Sequence, residues 1–95
     1  MEQFRRQESV TLSATYYSAG VLTAPDTYTM EVRAKSGAIV VDTQDMAEDS
    51  TGNYSYEYTS AADVVCGVYT AEAVLTTGTN VQRPYCKFEI VEEIP

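Results

Sequence analysis

Apolar and polar residues alternate with a period of two along most of this chain. From Ser9 to Tyr17, Val10, Leu12, Ala14 and Tyr16 fall on one side, and Thr11, Ser13 and Thr15 on the other. Thr27 to Lys35 repeats the pattern, with Tyr28, Met30, Val32 and Ala34 on one side and Glu31, Arg33 and Lys35 on the other. Two further runs begin with the same device, a Gly-x-Tyr: Gly52 leads into Tyr54, Tyr56 and Tyr58, and Gly67 into Tyr69, Ala71, Ala73 and Leu75. Such alternation predicts strands with one face buried and one wet. A shorter strand is expected over Gln3–Arg6, and a last one over Asn80–Glu92, with Pro84, Cys86, Phe88 and Ile90 sharing a face. No stretch carries helical periodicity.

Turn chemistry separates these runs. Ser18-Ala19-Gly20 breaks the second strand, and Thr23-Ala24-Pro25-Asp26 is loop, since proline cannot donate to a central ladder. Ser36-Gly37 reads as a two-residue turn that returns the chain along Ala38–Asp42. Gly78-Thr79 should turn the final hairpin. Thr43–Thr51 is polar and acidic around Met46, and reads as a loop whose methionine plugs the end of the core. The whole predicts an all-β fold, a two-sheet antiparallel sandwich of about seven strands, as one domain over 1–95. Its expected inward residues are Val10, Leu12, Tyr28, Met30, Val32, Tyr56, Tyr69, Leu75, Phe88 and Ile90.

An alternating strand, a corner of about eight residues and a second Gly-x-Tyr resemble immunoglobulin-like and fibronectin-III-like sandwiches, of the kind also found in macroglobulin-type modules and bacteriophage virion proteins. The resemblance implies that Tyr69, after the Val64-Val65-Cys66-Gly67 corner, hydrogen-bonds back to a corner backbone group. It carries no active-site motif. The chain departs from antibody domains in lacking the core tryptophan and the inter-sheet cysteine pair.

Composition narrows the function. The 95 residues hold eight tyrosines, no tryptophan and no histidine, and a formal charge of −8. That charge repels phosphate, so no nucleic-acid partner is expected. No apolar run reaches the 18 or so residues of a membrane-spanning helix, so no membrane partner is expected either. The N-terminus lacks the apolar core of a secretory signal, which points to cytoplasmic synthesis.

Candidate chemistry is sparse. Without histidine, the usual general base is missing, and Lys35 and Lys87 sit in no recognisable motif. The chain is expected not to be an enzyme, and no catalytic, cofactor-binding or metal-ligating residue is assigned. Asp42, Asp45, Glu48 and Asp49 offer oxygen ligands, but without the spacing or central glycine of an EF-hand loop. A hairpin at Gly78-Thr79 pairs Leu75 with Gln82, Ala73 with Pro84 and Ala71 with Cys86. Cys66 then lies five residues along the strand, about 16 Å away, beyond the ~7 Å a disulfide allows. Both cysteines are therefore expected as free thiols in the core.

The other face of the last two strands points to a partner. If Tyr69, Ala71, Ala73 and Leu75 face inward, Val68 and Val74 face outward, opposite Tyr85 and Val91. Valines on a wet face suggest a contact site, so Val68, Val74, Tyr85 and Val91 are the expected partner-binding residues, for a protein partner or a homo-oligomer. Ala38–Asp42 is a candidate edge for pairing between chains. The expected function is a non-enzymatic structural or interaction module, favoured as a small virion component of a phage head or tail. The alternatives are a domain excised from an adhesin-type extracellular protein and a carbohydrate-binding module using the tyrosine row.

Overall fold

A computed structural model describes residues 1–92 as an all-β sandwich. Eleven strands run β1 (Gln3–Arg5), β2 (Ser9–Thr15), β3 (Tyr17–Ser18), β4 (Val21–Leu22), β5 (Thr27–Ala34), β6 (Ile39–Asp45), β7 (Ala47–Ser50), β8 (Asn53–Thr59), β9 (Gly67–Thr77), β10 (Asn80–Gln82) and β11 (Tyr85–Val91). The large sheet has the order β1-β11-β9-β5-β6, with β10 continuing along β9, and the small sheet has the order β2-β8-β7. The chain passes between sheets at β1→β2, β2→β5, β6→β7 and β8→β9, the connectivity of an immunoglobulin-like sandwich.

The alternation seen in the sequence builds the core. Val10, Leu12, Ala14, Tyr54 and Tyr58 from the small sheet meet Met30, Val32, Tyr69, Ala71, Ala73, Leu75, Phe88 and Ile90 from the large one, all buried. Tyr28 and Tyr56 pack against this cluster while half-exposed. Aromatic rings tie the sheets together: Tyr28 stacks on Tyr54 at 4.4 Å between centroids, and Tyr58 meets Phe88 at 6.3 Å. The final hairpin has the expected register, with Gln82 opposite Leu75 and Cys86 opposite Ala71. Pro84 explains why β10 and β11 are interrupted within one register: it has no N–H, and only its carbonyl engages the ladder, accepting from Ala73 N–H at 2.9 Å.

Several local expectations are corrected. The ladder is not wholly antiparallel, because β1 lies parallel to β11, with Phe4 level with Ile90. Thr43–Thr51 is not a loop: its residues belong largely to β6 and β7, and Met46, buried between them, plugs the core as expected. The turn after β5 spans Lys35-Ser36-Gly37, closed by Ala34 N–H to Ala38 O at 2.8 Å, with Gly37 at φ 95°. Where a break was expected at Ser18-Ala19-Gly20, Ala19 and Gly20 both take positive φ and close the small β3–β4 hairpin.

Candidate interaction surface

Period-two geometry places the outward residues of the large sheet in rows. Tyr85 lies opposite Glu72, which lies opposite Glu31; Lys87 lies opposite Thr70 and then Arg33; Glu89 lies opposite Val68. At the β1 edge, Gln3 stands beside Glu89 and Arg5 beside Val91. Val68, Val74, Tyr85 and Val91 therefore share the outer face, as the sequence implied. They are not one patch. Val74 and Tyr85 sit toward one end and Val68 and Val91 toward the other, with six residues, about 20 Å, between the two valines of β9. The valines are half-buried, whereas Tyr85 is 70% exposed.

Charge on this face differs from charge on the chain. Arg5, Arg33, Lys35, Arg83 and Lys87, five of the six basic residues, belong to it. Glu31, Glu72 and Glu89 accompany them, with Asp45 opposite Thr29 at the β6 edge and Asp42 next to the inward Val41. Arg33 pairs with Glu31, Arg83 with Glu72 at 3.2 Å and Arg5 with Glu8 at 3.5 Å. Lys35 and Lys87 have no ion-pair partner among the described residues. Most of the acidic surplus lies elsewhere on the molecule, with Arg6 as its one basic neighbour, held by Nε donation to Val64 O at 2.8 Å. The net charge of the sequence suggests a basic partner, while the two lysines of this face that form no ion pair among the described residues suit an acidic one. Only the fold could separate the two.

The tyrosine row offers no platform for a sugar. Tyr54 and Tyr58 are buried, and the Tyr54 hydroxyl donates to Glu48 Oε2 at 3.2 Å. Burial first, then that hydrogen bond, raises the Tyr54 phenol above its ordinary value. Burial likewise raises Tyr58 and Tyr69. The four acidic residues of the β6–β7 segment do not converge: among the described residues no three His, Cys, Asp or Glu side chains are placed to share a metal ion.

Both cysteines are free, but the core position expected for Cys86 is wrong. Cys66 packs against the core, half-exposed, while Cys86 is exposed. The reason is the short β1, which covers only Glu89–Val91 of β11 and leaves Cys86 at the open seam between β11 and β2. A groove of about 330 Å³ follows this seam, lined by Glu2, Phe4, Ser9 to Leu12 and Cys86 to Phe88. Partial burial there, and then Glu2 nearby, push the Cys86 thiol upward. Sequence reasoning also missed the exposed apolar tip at Tyr17, Val21 and Leu22, because the β3–β4 hairpin read as a break.

No protein-family model matches this chain, and no curated protein matches it. Among solved structures, the crystal structure of CopC from Methylosinus trichosporium OB3b is similar, with a TM-score of 0.61 and 11% identity over 99% of this chain and 86% of that one. At that identity the likeness concerns the fold alone.

Proposed function

We propose that this protein is a non-enzymatic docking module that binds an acidic protein partner through the outer face of its large sheet. One observation carries the reading: an exposed tyrosine and five of the six basic residues share one face of a strongly acidic molecule. Tyr85 is the anchor, since aromatic side chains dominate interface hot spots and its hydroxyl can serve a wet rim. Lys87 and Arg33, in the adjacent row, supply steering charge. The virion setting expected from the sequence belongs to this proposal, the partner there being a neighbouring structural subunit.

The test is a binding titration against partners purified after capture on the immobilised protein from its source. Binding should weaken as salt is added, because complementary charges are screened. Tyr85→Ala should weaken it about thirtyfold, the size of a 2 kcal/mol hot spot, and Lys87→Glu should slow association. A partner bound equally well by wild type, Tyr85→Ala and Lys87→Glu would remove this surface from the function.

A further inference from the structure

The sandwich has edges of two kinds. β6 carries two register irregularities, at Met30/Val32 and Val32/Arg33, together with Asp42 and Asp45. β7 has four residues, two of them Glu48 and Asp49, and its own register shift. β1 has three residues, including the exposed Arg5. Bulges, charges and shortness are the ordinary means by which a strand edge is kept from pairing with another chain. β2 has none of them. It reads Ser-Val-Thr-Leu-Ser-Ala-Thr, pairs with β8 in one unbroken register from Ser9 to Thr15, and among the described residues has no strand on its other side.

We propose that β2 is a homodimerisation edge, pairing antiparallel with β2 of a second copy about a two-fold axis at Leu12. Backbone direction sets the register. Tyr16 N–H donates to Gly52 O across to the β8 side, so the N–H groups of Val10, Leu12 and Ala14 also point to β8. Those of Ser9, Thr11, Ser13 and Thr15 point to the open side. An axis at Leu12 sets Thr11 against Ser13 of the second copy and Ser9 against Thr15, so every outward-pointing group finds a complement. About eight inter-chain hydrogen bonds result, joining the two small sheets into one of six strands.

A second copy fits as the occupant because this edge complements itself about the axis and, unlike the molecule as a whole, carries no charge. Two molecules of charge −8 repel, and most of their surface forbids close contact. On β2 the outward side chains are Ser9, Thr11, Ser13 and Thr15, all uncharged hydroxyls. Facing themselves across the axis, they meet as Ser/Thr pairs, which are favourable neighbours across strands. Glu8 falls level with Tyr16 of the second copy, not with its own equivalent. On the inner side, the two Leu12 side chains meet beside the seam groove, whose walls include Val10, Leu12 and Phe88. Tyr85 belongs to the other sheet and lines a small pocket with Ser13 at the seam, but it contributes none of the backbone groups that pair across the axis.

Sedimentation velocity on the purified chain tests it. Wild type should form a dimer that tightens with added salt, as repulsion between the two acidic bodies is screened. Docking at the Tyr85 face should respond to salt in the opposite sense. Amide exchange supplies the register: Thr11 and Ser13 should become protected as concentration rises, while Val10 and Leu12 are protected throughout. Thr11→Pro removes an N–H that β8 does not use and should yield a monomer. Should that variant unfold, Thr11→Lys/Ser13→Lys places four lysines around the axis and should also give a folded monomer, whereas Tyr85→Ala stays dimeric. A wild type that remains monomeric at millimolar concentration in high salt overturns the proposal, as does a folded lysine variant that still dimerises.

Discussion

Tyr69 shows how one hydroxyl can hold a corner. Its ring stacks on Phe88 at 5.8 Å in the core, and its hydroxyl donates to the Val65 carbonyl, four residues upstream in the link between β8 and β9. Phenylalanine would fill the same space and leave that carbonyl without its partner. Tyr69→Phe should therefore cost about 1–2 kcal/mol, with no change in secondary structure. Denaturant unfolding with an unchanged m-value checks the magnitude, and an unaltered midpoint would mean that water satisfies the corner equally well. The residue was legible in the sequence because the Gly-x-Tyr spacing resembles that of other sandwiches. Its bonding partner was legible only as a region.

Elements meet at Gly52, in the turn between β7 and β8. Its φ of 80° lies where a side chain is strained, and a Cβ there would stand 3.0 Å from Leu22 Cβ and 3.1 Å from Thr23 N. The turn therefore needs glycine for its own conformation and to let the β3–β4 hairpin lie against it. Gly52→Ala should destabilise by about 1–3 kcal/mol and loosen that hairpin. Faster amide exchange at Tyr17 and Thr23 than at β9 would report the loosening, and a variant as stable as wild type would contradict the crowding. Gly67, which opens the other Gly-x-Tyr, has φ 146° and open space around its Cβ position. The same dipeptide spacing thus serves two different ends, a difference that alternation alone could not reveal.

The whole molecule is held together partly by neutral phenols. Tyr54, Tyr58 and Tyr69 bridge or line the two sheets, and burial raises all three above the ordinary value of 10.0. In the unfolded chain these phenols ionise near that ordinary value, whereas in the folded chain they hold their protons to higher pH. Their contribution is full below pH 10 and is lost as pH rises from there through the folded values. Stability should fall steeply above pH 10, and tyrosinate absorbance should appear together with unfolding. Tyr58→Phe should flatten the decline. A midpoint unchanged between pH 9 and pH 11.5 would show that the phenols are wetter than their burial implies.

Period-two alternation determined by itself which side of each long strand is buried, because a side chain's face depends only on its parity along the strand. The same parity, counted back from Gly78-Thr79, determined the β9–β11 register and hence the separation of the two cysteines. Tertiary structure alone decided what depends on which strands become neighbours. Cys86 has inward parity yet is exposed, since β1 stops short of it. Val68 and Val74 share a face of β9, but the charged rows that separate them come from β5 and β11. β2 became the unguarded edge because the chain crosses to the other sheet after Thr15 and no later strand among the described residues returns beside it. A strand's pattern states how it meets its own sheet, and sequence-distant neighbours decide what its surface is left to meet.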